Sequence, residues 1–245
     1  MKKILFSLSI IALVVSLNSC KKEDAGPSNQ TLKLHVHSVA GSDALNYSNT
    51  FTTAAGKRFT LSEFRYYVSG VSLLKNDGTK FPITGKYFLV SPSVSDYDLG
   101  SVPVGDYKGL EFSVGIDSAA NHSDPATYEA TNPLAIQTPA IHWSWNSGYI
   151  FVKLEGKCDT SATNTGALDQ DLILHLGLDK FLRTVTLNTA FTVSKDNAKS
   201  LTLVADVTKY LTGVDFKTEN MTHTMDNQPL ATRLANNISS MFSIQ

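Results

Sequence analysis

Little in this chain could form a covalent or nucleophilic centre. It has only two cysteines, Cys20 and Cys158, too few for a disulfide-stapled scaffold. An excess of one charge is also missing: 21 Lys and Arg stand against 22 Asp and Glu, for a net charge of −1. With no basic patch and no acidic block, nothing suggests nucleic acid or a polyanion as partner. No apolar run reaches the roughly 20 residues of a membrane-spanning helix. There is no G-x-S-x-G elbow, no H-E-x-x-H helix, no glycine-rich phosphate loop and no EF-hand spacing. Asp117, Asp124, Glu155 and Asp171 could pair as catalytic carboxylates only if folding brought them together. The chain therefore reads as a binding protein and not an enzyme.

What is present begins at the N-terminus. Lys2 and Lys3 precede an apolar stretch from Ile4 to Leu17, and a charged start, a short apolar run and a small-residue exit describe a signal peptide. The exit, Leu17-Asn18-Ser19-Cys20, resembles the lipobox of bacterial lipoproteins, in which the cysteine thiol is acylated and becomes the first mature residue. This predicts a leader at 1–19, a lipidated tether at 20–30 and one domain at 31–245. The mature chain of 226 residues, with net charge −3 once Lys2 and Lys3 are gone, is long enough for a core of its own. Lys21-Lys22-Glu23-Asp24 resembles the charged export tag of Bacteroidetes lipoproteins; a solvated tether explains it equally well. The expected location is the outer membrane, on its periplasmic face or at the cell surface, with the membrane engaged through Cys20. Acylation of Cys20 would leave Cys158 alone, in a polar stretch that reads as a loop.

From Leu32 onward, short runs of alternating polarity lie between turn signals. Strands are predicted at 64–74, 87–90, 109–116, 149–154, 171–176, 184–187 and 200–206, with Asn76-Asp77-Gly78 as a hairpin turn. Leu230, Leu234, Ile238 and Met241 recur at helical spacing, predicting a helix over 229–241, and 207–211 suits another short turn. The fold class is all-β: an antiparallel β-sandwich with one or two short helices, one of them near the C-terminus.

Six histidines carry what chemistry there is. His35 and His37 lie two apart on a strand, so their rings share a face about 6.5–7 Å apart along the backbone; they are either two ligands for one metal ion or exposed polar residues. His175 interrupts the apolar run Leu172–Leu176, where an imidazole needs partners for both nitrogens or a metal. Met221-Thr222-His223-Thr224-Met225, if extended, sets two thioethers and an imidazole on one face, a donor set suited to Cu(I); otherwise the methionines are packing residues. His122 reads as a loop residue with no partner nearby. Trp143 and Trp145 alternate onto one face of their segment with His142 on the other, either as core aromatics or as site residues. Were Trp143, Trp145 and Tyr149 exposed, their flat rings would suit a carbohydrate- or protein-binding surface module without a metal.

Several segments together resemble the MbnP-like family, named for a periplasmic protein encoded with the copper-scavenging peptide methanobactin. They are Leu34–His37, "LSEFRYYVSGVSLL" (61–74), "GLEFSVGIDSAANHSDP" (109–125), Pro133-Leu134, "IHWSWNSGYIFVKLEG" (141–156), "LHLG" (174–177) and the closing "MTHTM…NN…MF" (221–242). The most specific is W-x-W-x-x-G-Y. The resemblance implies an exported β-sandwich that binds copper through histidine beside a tryptophan oxidised to kynurenine, with a di-haem cytochrome c peroxidase-like partner performing that oxidation. It strengthens His175, the foremost ligand candidate, and at least one of His35 and His37; His223, Met221 and Met225 complete the candidate donors on their chemistry, with Trp143, Trp145 and His142 adjacent. This chain departs from such relatives in lacking their further cysteines and in carrying His142 where methionine is more usual.

Overall fold

The computed structural model describes residues 28–143 and 148–245; Cys20, Trp145 and the expected leader fall outside them. In chain order the strands begin with β1 (Asn29–Ala40), β2 (Asp43–Ala44), β3 (Phe51–Thr52), β4 (Arg58–Lys75) and β5 (Lys80–Pro82). There follow β6 (Tyr87–Val90), β7 (Asp96–Pro103), β8 (Gly105–Val114), β9 (Ile150–Cys158) and β10 (Gln170–Gly177). The last are β11 (Arg183–Leu187), β12 (Phe191–Val193), β13 (Lys199–Asp206), β14 (Met221–Thr222) and β15 (Phe242–Ile244). Helices α1 (Ser118–Asn121), α2 (Val207–Tyr210) and α3 (Gln228–Met241) complete the main elements.

The strands form two sheets. One runs β15-β13-β1-β2 with β7 also on β1; the other runs β11-β8-β4-β9-β10-β14, with the short strands β3, β5, β6 and β12 alongside. The sandwich is as expected, but it is not wholly antiparallel. β1 lies parallel to β13, and β10 parallel to β14. Both parallel partners arrive after long excursions, and only a connection of that length can return a strand in the same direction.

Period-two alternation sorts the side chains. Leu32, Leu34 and Val36 of β1, Phe64 and Tyr66 of β4, Val152 and Leu154 of β9, and Leu172, Leu174 and Leu176 of β10 all enter one hydrophobic core. On α3, Leu230, Leu234, Ile238 and Met241 are buried in that core. Asn227 caps the helix by accepting from the Leu230 amide at 3.2 Å, and Pro229 occupies the first turn, where its missing N–H is no loss. No helix among the described residues is long and apolar enough to cross a membrane.

Strand β4 is long enough to carry a second small core on its outer side. Tyr67, Ile116, Leu134, Ile141, Trp143, Tyr149 and Phe151 cluster there, beneath the long connection from β8 to β9. Cys158 requires a correction. It ends β9 fully buried and is not a loop residue. Burial, helped by the neighbouring Asp159, pushes its thiol up to about 11, so the thiol stays protonated at neutral pH.

Candidate metal centre

The candidate site lies on the outer face of the second sheet and follows from strand register. β4 pairs β9 with Arg65 opposite Lys153 and Glu63 opposite Glu155. β9 pairs β10 with Lys153 opposite His175 and Glu155 opposite Ile173. β10 pairs β14 with Ile173 opposite Met221, so the next same-face position sets His223 beside His175. Two adjacent rungs result: Arg65, Lys153, His175 and His223 on one, and Glu63, Glu155, Ile173 and Met221 on the other.

Charges on the two rungs bind diagonally. Arg65 Nε donates to Glu63 Oε1 at 2.6 Å. Lys153 Nζ lies 3.0 Å from Glu63 Oε2 and 3.2 Å from Glu155 Oε1, and donates to the Ala140 carbonyl at 3.1 Å. Glu155 Oε1 stands 2.9 Å from His175 Nε2. Lys153 and Glu63 are both buried, so each must find its counter-charge within this row. Burial alone would raise the Glu155 carboxyl, but the Lys153 charge and the His175 hydrogen bond outweigh it and hold it below the ordinary value. Burial lowers His175, against the opposing pull of Glu155, so its imidazole is neutral near pH 7.

The His175 and His223 rings meet edge to face, with centroids 5.1 Å apart at 87°. Trp143 also packs on His175, at 5.9 Å between centroids. Each imidazole is also engaged by one carboxylate. His223 Nδ1 is 3.0 Å from Asp226 Oδ2, and Asp226 Oδ1 accepts from the His223 amide at 2.7 Å. Burial would raise Asp226, but hydrogen bonds from His223 hold it below its usual range. Carboxylates that accept from a ring N–H fix the tautomer and leave the other nitrogen as a lone-pair donor. That nitrogen is Nδ1 on His175 and Nε2 on His223.

Backbone geometry fixes the pair. Parallel pairing stops at Thr222, and Thr224, at φ 74°, turns the chain away. A β-branched residue in this region costs about 1–3 kcal/mol. The Thr224 hydroxyl then does what a strand would have done, donating to the His175 carbonyl at 2.7 Å and accepting from the Gly177 amide at 3.0 Å. Trp143 is held by its own backbone. Its amide donates to the Gly148 carbonyl at 3.0 Å, and the Ile150 amide donates to the Ile141 carbonyl at 3.0 Å. Gly177 is what lets the indole lie against β10: a Cβ there would stand 2.9 Å from Trp143 Nε1 and 2.8 Å from the Tyr149 carbonyl oxygen.

The other expected residues fall elsewhere. Leu34 and Val36 of β1 face the core, so His35 and His37 project outward from the first sheet, on the far side of the sandwich from His175. His35 Nδ1 pairs with Asp96 at 2.9 Å and His37 is exposed; the structure does not bring them to His175. The extended run of three same-face donors at 221–225 is likewise not formed, because of the turn at Thr224; Met221 and Met225 are both exposed. His142 packs edge-on against Tyr149 at 4.9 Å. Its Nδ1 reaches the Trp143 carbonyl at 2.9 Å and its Nε2 accepts from the Gly148 amide at 3.3 Å, so both nitrogens are occupied. His122, read as partnerless, lies 3.2 Å from Asp179 Oδ2. Trp143 and Tyr149 are buried at 5% and 0% exposure, which removes them as a sugar-stacking platform.

Sequence reading missed Glu63, Arg65, Lys153 and Asp226. A signal for the first three existed: charges two apart within the apolar strands "EFR" and "KLE" lie on one face, in opposite order. Among the described residues no three His, Cys, Asp or Glu side chains converge as a metal-holding group, so the site offers two imidazoles and an indole, with both nearby carboxylates already committed. Such a donor set fits a soft or borderline ion of low coordination and does not fit calcium or magnesium, which need oxygen ligands.

Residues 29–226 match the family model for MbnP. That span is most of the chain, and the protein belongs to the MbnP family. The solved structure of MbnP from Methylosinus trichosporium superposes with a TM-score of 0.61 at 16% identity, covering 88% of this chain and 98% of that one; the likeness shows a shared fold. No curated protein sequence is significantly similar.

Proposed function

We propose that this member of the MbnP family is an envelope lipoprotein, anchored through Cys20, that binds copper between His175 and His223 for acquisition, storage or sensing. The observation that carries the reading is the edge-to-face imidazole pair, one ring in contact with Trp143, held by two carboxylates that leave one nitrogen free on each ring. Copper bound there would be held by neutral imidazoles, and the residues around them have separable tasks. Glu155 and Asp226 set the tautomers. Lys153 and Glu63 keep Glu155 in place. Trp143 closes the inner side of the site against water.

Among the described residues Trp143 is the indole that touches the histidine, and the proposal makes it the residue oxidised to kynurenine. Ring opening would exchange an apolar indole for a carbonyl and an aniline nitrogen beside the copper. A di-haem cytochrome c peroxidase-like protein is the proposed agent of that oxidation.

The decisive experiment is copper titration of the purified mature domain, with X-ray absorption at the copper edge and intact-mass measurement. The expected result is one tightly held copper with two imidazole ligands, and a mass about four units above the unmodified chain if Trp143 has become kynurenine. Weak binding at several equivalents, or a spectrum without imidazole, would overturn the reading.

A further inference from the structure

A cleft of about 520 Å³ opens beside the far end of the charged row, walled by β4 at Glu63 and Arg65, by the 88–97 connection between the sheets and by the 130–139 loop. Its size falls within the roughly 300–1,000 Å³ of small-molecule sites. Exposed apolar side chains gather around it. Five large hydrophobic residues are exposed among the described residues; Tyr47 and Val94 line this cleft, and Ile136 sits in the loop that walls it. Solvent-facing apolar groups concentrated at one concavity mark an interaction site more often than scattered ones do.

The lining narrows the ligand class. Glu63 and Arg65 are its only charged side chains, and they neutralise one another. A phosphate or carboxylate ligand would find its one cation already spoken for, and a metal ion would find one carboxylate in the same condition. A pure hydrocarbon would strip water from Ser62, Ser91, Ser93, Thr131, Asn132 and Thr138 without replacing it, at a cost for each group. What suits these walls is a molecule with many neutral hydroxyls and one apolar face. Tyr47, 45% exposed at the rim, offers a flat ring for that face, and its orientation is fixed because its hydroxyl accepts from the Phe64 amide at 3.0 Å.

We propose that the cleft between Glu63–Arg65, the 88–97 connection and the 130–139 loop is a second binding site, for a neutral saccharide of one or two rings. The site is distinct from the histidine pair and does not rest on the copper reading.

The test titrates the mature protein with glucose, galactose, mannose, N-acetylglucosamine, maltose and cellobiose, followed by amide chemical shifts. At least one sugar is expected to bind and to shift resonances in 88–97 and 130–139. Tyr47→Ala should weaken that sugar about tenfold through loss of stacking, and His175→Ala should leave it unchanged. Since Tyr47 also supports β4, a second variant is needed: Ala130→Trp, at an exposed position on the cleft wall, fills the cleft and should abolish binding without disturbing the core. No binding by any of the six sugars, or binding that survives Ala130→Trp, would overturn the proposal. Neither result bears on copper.

Discussion

The molecule carries two histidine pairs on its sheet faces, and their surroundings differ in every respect that matters for a metal. His35 and His37 lie on one strand of the first sheet, on an outer face open to water, with Asp96 as the single acidic contact among the described residues. His175 lies on β10 and His223 directly after the end of β14, 48 residues further along the chain; they meet ring to ring, and each is backed by a carboxylate. Neighbours along a strand share a face but stay at backbone spacing. Neighbours across strands are brought within contact, and one buried side can desolvate both. The comparison teaches that a pair visible in sequence is a weaker ligand candidate than one assembled by register.

The largest effect should come from breaking the assembled pair. His175→Ala or His223→Ala should weaken copper binding by more than the roughly 10–100-fold that losing a hydrogen-bonded support costs. The double change His35→Ala, His37→Ala should move affinity less than about twofold, because those rings project from the opposite face of the sandwich. Competition against a chromophoric copper chelator measures both. Comparable losses in the two proteins would erase the distinction.

Next in size is the charged row that supports His175. Lys153→Met removes the one cation between two carboxylates and leaves Glu63 buried with a single partner. The expected cost is about 3 kcal/mol of unfolding free energy, typical of breaking a buried charge network from one side. The exposed pair of Lys157 and Asp171, at 2.8 Å between β9 and β10, gives the contrast: Lys157→Met should cost no more than about 1 kcal/mol. Urea unfolding of the two variants reads the difference.

Gly177→Ala should have a smaller, more local effect. The added methyl would press on the Trp143 indole and the Tyr149 carbonyl, an overpacking worth about 1–3 kcal/mol. Unlike the histidine changes it removes no donor atom. Near-ultraviolet circular dichroism should report the displaced indole, and copper affinity should fall by less than in His175→Ala.

The contrast between the two pairs also explains what was legible. Strand periodicity and turn signals placed β6 to the residue, and β10 and β13 to within a residue or so at each end; helical spacing found α3 one residue short of its start. That information is local. The parallel pairing of β10 with β14 is not local, so nothing in the Met221–Met225 run revealed that Thr224 would turn out of the strand and that only His223 would face His175. His175 was readable because an imidazole inside a run of leucines is anomalous wherever it lies. Lys153 and Glu63 were not singled out, since a charge in an apolar strand looks like ordinary outward alternation until a second layer covers that face.

The smallest effect, and the one most sensitive to pH, concerns Cys158, the only thiol in the described part of the chain. Its folded value is raised to about 11 from an ordinary value of 9.0. A raised acid favours the folded state below the unfolded value, and that contribution is lost as pH climbs through the folded one. Stability should therefore decline between about pH 9 and 11 through this group, and Cys158→Ser should flatten that part of the profile. At pH 8 the native thiol should stay unreactive towards iodoacetamide and become alkylated on unfolding in urea. Rapid labelling of the native protein would mean that β9 opens at its end, and the row built on Glu155 and Lys153 would then rest on a strand less firmly held than its burial indicates.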